Sequence, residues 1–147
     1  FEWQFSLGAI IAIIHDVIIT VGIFSLLSYE VNLSIVAAVL TIVGYSMNDT
    51  VVIFDRIREN LKKYSKISIS DISNQSTNET LSRTLITSFT TLLALFSIYI
   101  FGGAILKGFS FAMIIGVIVG TYSSIFVATP ILNYTKVTQK TVLKEDN

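Results

Sequence analysis

The sequence predicts an all-α fold, a polytopic membrane bundle of four transmembrane helices. Three observations carry this. Only 14% of the 147 residues are charged, against about 25% in a typical soluble domain, and the mean hydropathy is +0.73. The charges are segregated: residues 31–48, 84–106 and 108–135 contain no Asp, Glu, Lys or Arg, and residues 5–27 are interrupted only by Asp16 and its neighbour His15. A bilayer-spanning helix needs roughly 20 mostly apolar residues. The chain offers four such stretches, at about 5–28, 33–54, 84–101 and 108–132, too many in a short chain for a polar shell to surround.

In the first span, Ala12, Asp16 and Thr20 share a face, so Asp16 is expected to look into the bundle, with His15 pointing about 100° away. In the second, Ala37, Thr41, Gly44 and Asn48 form a small, polar face, and Asp49 follows directly. If that span leaves the bilayer near Asp55, Asp49 lies ~9 Å inside, at 1.5 Å per residue. An ionisable group there costs roughly 2.5–3.5 kcal/mol on insertion scales, which makes it a functional candidate. Its alternative role is a structural ion pair or an interfacial carboxylate.

The segment 55–83 is expected as a polar loop, with Ser76 and Glu79 at capping-box spacing where a helix could start. The third span carries Arg83, Thr87, Thr90, Ala94 and Ser97 along one side. Such hydroxyls can bond back to their own carbonyls, but a stripe leading from an Arg reads as the wall of a polar crevice. The fourth span has Ala112, Gly116, Gly120, Ser124 and Ala128 at four-residue spacing. That ridge lets another helix approach closely, either within the bundle or in a neighbouring subunit. Residues 1–135 are thus read as the transmembrane bundle and 136–147 as a tail.

Nine of the ten basic residues fall in 55–83 or the tail, with only Lys107 on the other side. The positive-inside rule puts the loop and the C-terminus in the cytoplasm. Net charge is zero, so a nucleic-acid partner is not expected. Cys is absent, and there is no nucleophile–base pair, phosphate-cradling glycine loop or metal-spaced cluster. No catalytic, cofactor-binding or metal-ligating residues are therefore predicted, and the chain is not expected to be an enzyme. It begins on Phe with no basic segment before the first apolar run, and is read as a piece of a longer protein rather than as starting with a signal peptide.

Asp49 and Arg83 both lie toward the cytoplasmic ends of their spans. A carboxyl between a desolvating surround and a nearby guanidinium is poised to gain or lose a proton. Movement of Arg83 relative to Asp49 would then couple proton uptake to a helix shift.

Residues 43–62 read VGYSMNDTVVIFDRIRENLK, preceded by FEWQFSLGAIIAIIHDVIITVGIFSLL and followed by TLSRTLITSFTTLLALFSIYIFGG and LKGFSFAMIIGVIVGTYSSIFVA. Over most of residues 1–129 this resembles the SecF side of the SecD/SecF family of bacterial protein-export membrane subunits, within the resistance–nodulation–division superfamily. The resemblance implies a six-span unit of which this chain holds the last four, without the periplasmic domain that would touch a preprotein. It implies pairing with SecD, association with the SecYEG channel in the bacterial cytoplasmic (inner) membrane, and use of the proton-motive force late in preprotein translocation. It places the proton-relay carboxylate on Asp49 and the essential membrane arginine on Arg83. From residue type and helical spacing, Asn48, Asp16 and Thr87 are candidate supporting polar residues, and Gly116, Gly120 and Ser124 are read as helix packing. Alternatives are a passive scaffold stabilising SecD and the channel, or a small-molecule exporter of the same superfamily.

Overall fold

The computed structural model describes residues 2–144. In order they form α1 (Trp3–Leu26), α2 (Leu33–Lys63), α3 (Ile69–Phe101), α4 (Gly103–Ser123), a π turn (Ser124–Ala128), α5 (Thr129–Tyr134) and α6 (Gln139–Leu143). No strand occurs among the described residues. Four helices are long and apolar enough to cross a membrane, α4 continuing through the π turn and α5 as one rod from Gly103 to Tyr134. The protein is a multi-pass membrane helix bundle.

The bundle is inverted in polarity relative to a soluble one. On α1 the buried residues are Gln4, Phe5, Gly8, Ala9, Ala12, Asp16, Thr20 and Phe24, while Ile10, Ile14, Ile18 and Val21 are exposed. Lipid solvates aliphatic side chains as well as a protein core does, so small and polar residues gain more by facing inward, where backbones approach and hydrogen bonds form. The rod from Gly103 is the central helix: half of its most apolar window is buried, against 17% for α3.

Backbone chemistry fixes the joints. Asn32 caps α2 by accepting from the Ile35 amide. The turn between α3 and α4 needs both of its glycines: a Cβ on Gly102 would lie 2.4 Å from the Ile98 carbonyl oxygen, and Gly103 has φ +77°, a region side-chain-bearing residues rarely adopt. The π turn precedes Pro130, which lacks an N–H and whose ring crowds the carbonyl four residues back; widening the helix relieves that clash. The Thr129 hydroxyl donates to the Ser124 carbonyl across this turn, at 3.0 Å.

The polar segment 55–83, expected as a loop, is almost wholly helical. α2 runs on to Lys63, and α3 starts at Ile69 behind an N-cap at Ser68, whose hydroxyl accepts from the Asp71 amide. Ser76 is therefore buried in mid-helix and does not cap a start at Ser76–Glu79. Two helices extended past the apolar zone can pair through polar side chains, and these do. Arg56 bonds Glu59 and Glu79, and the Asn60 Nδ2 donates to the Ser76 Oγ at 2.9 Å and the Glu79 Oε2 at 3.1 Å. The segment expected as a tail also returns to the body. Val137 and Val142 are fully buried in an apolar cluster with Leu61, Ile72 and Leu132.

Candidate functional site

Asp49 sits on the inner side of α2, 4% exposed, and its Oδ2 is buried with no hydrogen-bond partner. Arg83 on α3, the helix packed against α2, is exposed, and no ion pair joins it to the Asp49 carboxylate. The two residues thus lie on packed helices and are not paired. A carboxylate kept from water with an open lone pair, and a cation close enough to feel it, can respond to a proton or to a small helix displacement.

The polar stripes around them face away from the bundle. Ala37, Thr41, Gly44 and Asn48 on α2 are exposed, and a Cβ added at Gly44 meets nothing within 4 Å. On α3, Thr90, Ala94 and Ser97 are exposed beside Arg83, and Thr87 is half-buried. The crevice expected along this stripe is not formed within the chain. Its hydroxyls turn back on their own helix, Thr87 donating to the Arg83 carbonyl at 2.8 Å and Ser97 to the Leu93 carbonyl at 2.9 Å. The reason is register: the inward side of α3 belongs to Thr84, Ser88 and Leu95.

The ridge of α4 lies inside. A Cβ on Gly116 would stand 2.2 Å from the Ile42 Cγ1, and one on Gly120 would stand 3.3 Å from the Ser46 Cβ. These glycines let α2 lie directly against α4. The Ser124 hydroxyl meets that of Thr50 at 3.1 Å. No face of this ridge is left for a neighbouring subunit.

Asp16 is 1% exposed at the junction of α1, α2 and α4. Its Oδ2 accepts from the Ser46 hydroxyl at 2.5 Å and from the Ser123 hydroxyl at 2.8 Å, and its Oδ1 lies 3.1 Å from the His15 Nδ1. His15 reaches it despite leaving the helix in a different direction, because adjacent side chains can bend toward one another. Ser46, Ser123, Thr50 and the Ser88–Thr121 hydroxyl pair at 2.6 Å were not picked out by sequence reasoning. A serine four residues from the Ile42 position, on the face opposite the Gly44 stripe, was the available signal for Ser46.

Comparison with known proteins bears on the whole assembly of helices. The family described as "Protein export membrane protein SecD/SecF, C-terminal" matches residues 1–138. The chain belongs to the SecD/SecF family. It is 54% identical over 134 residues to a protein translocase subunit SecF of Cereibacter sphaeroides, covering 91% of this chain and 41% of that protein. It is 57% identical over 138 residues to the SecF of Rhodothermus marinus, covering 90% and 45%. A crystal structure of SecDF from Thermus thermophilus, described as a translocon-associated membrane protein, superposes with a TM-score of 0.89 at 46% identity, over 92% of this chain and 19% of that one. A second SecDF crystal structure, in a super-membrane-facing form, gives 0.86 at 42% identity, over 99% and 19%. The chain spans less than half the length of these SecF relatives, and its helices follow the SecDF arrangement closely.

Proposed function

We propose that this chain is part of a SecF-type subunit that, with SecD, couples proton movement to a late stage of preprotein translocation across the bacterial cytoplasmic membrane. The observation that carries this reading is the buried, unpartnered Oδ2 of Asp49, with Arg83 on the adjacent helix α3 and not paired to it. A structural ion pair would close that gap, whereas a carboxyl that cycles between charged and neutral states needs it open. Moving one elementary charge through 100 mV yields ~2.3 kcal/mol, enough to bias a two-state bundle if Asp49 is protonated in only one state.

The outward stripes on α2 and α3 suit a SecD surface. Small residues allow close approach, and the exposed Asn48 amide offers hydrogen bonds that lipid cannot satisfy. SecYEG association and preprotein binding would belong to the rest of the subunit pair, and the charged end of α2 and α3, with α6, would face the cytoplasm. The passive-scaffold alternative leaned on the α4 ridge as a subunit contact, and that ridge is filled by α2. The exporter alternative is disfavoured by RIREN following GYSMND and by the SecF relatives.

The test uses the full-length subunit with SecD in inverted vesicles, comparing Asp49→Asn with the parent for late-stage preprotein translocation with and without an imposed proton gradient. The substitution keeps size and polarity but removes the titratable proton. The variant should assemble normally and lose the response to the gradient; an undiminished response would sink the reading.

A further inference from the structure

The end of the bundle where α2, α3, α5 and α6 meet carries a basic surface that the mechanism above does not use. Residues 61–71 and 133–147 hold six lysines against Asp71, Glu145 and Asp146, so this end is net positive. The Asp71 carboxylate accepts from the Ser68 hydroxyl at 2.8 Å. Among the described residues, no carboxylate pairs with Lys63, Lys66, Lys136, Lys140 or Lys144. Two distant segments bring these charges together: the Gln139 side chain donates to the Lys62 carbonyl at 3.2 Å, which sets α6 beside the end of α2.

Between the α2–α3 turn and the α5–α6 joint lies a crevice of about 320 Å³. Buried Leu61 and Val137 line it, together with exposed Ile67, Asn133 and Lys136. Tyr64 lines it as well, and the Lys63 ammonium sits over that ring, 5.2 Å from its centroid. Lys66 directly precedes Ile67, and Lys140 follows Gln139.

Lys136 is the unusual member. Helix α5 ends in a doubly bonded turn, in which the Lys136 N–H donates to the Asn133 carbonyl and the Val137 N–H to the Leu132 carbonyl, each at 3.4 Å. Such a turn needs a left-handed residue at this position, usually glycine, and Lys136 fills it with φ +53°. A long cationic side chain held where glycine is favoured points to a use for the side chain itself.

We propose that this crevice is a docking site for the headgroup of an anionic phospholipid, with Lys136 in the crevice and Lys63, Lys66 and Lys140 around it. Depth favours a lipid. Lys63 stands eight residues past Asp55, ~12 Å beyond the expected exit of α2 from the hydrocarbon. The headgroup layer fills roughly 5–8 Å of that distance, and the remainder lies within one Debye length, about 8 Å at physiological salt. Lysines at such a level reach back to the phosphates along their apolar stems. Composition favours a lipid too. Tyr134 is 86% exposed and Ile67 40% exposed beside the lysines, a pairing of amphipathic ring, aliphatic group and cation that suits the membrane interface. An acidic peptide would match the charges but leave those apolar groups in water. Basic pockets among membrane helices at the headgroup level are suited to anionic headgroups. The site is independent of the proton-carrying role of Asp49.

The test places a dye on Ser70→Cys, an exposed position next to lining residue Ile69, in the full-length subunit with SecD, otherwise free of cysteine. The complex is reconstituted in phosphatidylcholine vesicles containing increasing fractions of spin-labelled phosphatidylglycerol or spin-labelled phosphatidylcholine, and quenching of the dye is followed. Phosphatidylglycerol should quench at a lower fraction than phosphatidylcholine does, and the difference should shrink as salt is raised. Lys136→Gly suits the left-handed backbone, so it should keep or raise the thermal midpoint while weakening the preference about fivefold, the effect of one lysine at an anionic surface. Lys136→Arg should retain the preference, and Lys107→Gln, at the opposite end of the bundle, should leave it unchanged. Should Lys136→Gly lower the midpoint, Lys136→Gln decides by the same criterion. Equal quenching by the two lipids in the parent, the result expected if an acidic protein segment occupies the patch, would overturn the docking site. An undiminished preference in the Lys136 variants would overturn it as well.

Discussion

Gly116 and Gly120 stand one turn apart on α4 and face the same helix, yet they tolerate different changes. A methyl at Gly116 would collide with Ile42 at 2.2 Å, on a β-branched side chain whose χ1 has little freedom in a helix. A methyl at Gly120 would meet the Ser46 Cβ at 3.3 Å, a contact that a shift of a few tenths of an ångström relieves. Overpacking of the first kind typically costs 1–3 kcal/mol, on the order of a lost core contact. Gly116→Ala should therefore lower the thermal unfolding midpoint in detergent clearly more than Gly120→Ala does, and Ile42→Val should recover part of the loss. Equal effects at the two glycines would mean that α2 does not rest on α4 at Gly116. The four-residue spacing was legible in the sequence. Which partner filled the ridge was not, because spacing describes one helix and the partner is chosen by the whole bundle.

At the scale of elements, the paired extensions of α2 and α3 depend on side chains rather than on lipid. Glu79 accepts from Gln75, Asn60 and Arg56, and these hydrogen bonds hold its carboxyl down from 4.5 to about 2. Its folded value lies below its unfolded one, so its contribution to stability is fully present above pH 4.5 and is lost as pH falls toward about 2. Amide-exchange protection in residues 55–63 and 69–80 should hold from neutral pH down to that window and then fall. Glu79→Gln should flatten the dependence; an unchanged acid profile would assign the effect to other groups. The four apolar helices were readable from composition alone, since lipid imposes length and apolarity directly. The extensions were not. Their sequence, DRIRENLKK followed by a Ser- and Asn-rich run, reads as loop when taken one helix at a time. It becomes helical because Asn60, Ser76 and Glu79 find one another across the pair.

On the scale of the whole molecule, the outward polar stripes are the feature that a lone bundle does not explain. Gly44 opens on empty space, so enlarging it should leave this chain's own packing intact while blocking a close-fitting neighbour. Gly44→Trp should sharply reduce recovery of SecD with the full-length subunit, with the thermal midpoint of the isolated subunit unchanged. Undiminished recovery would place SecD on another face. Family resemblance pointed to Asp49 and Arg83 together, and their depth and residue type did so independently. That they are unpaired, with Oδ2 open, came only from the three-dimensional arrangement, because a long polar loop, as 55–83 reads in the sequence, permits contact as readily as distance. The central claim is that Asp49 carries a proton. Its most direct test is proton flux into proteoliposomes containing the full-length subunit with SecD, read by an internal pH dye under an imposed gradient. The parent should admit protons, and Asp49→Asn should reduce the flux to that of empty liposomes. Parental flux through the Asn variant would contradict the account.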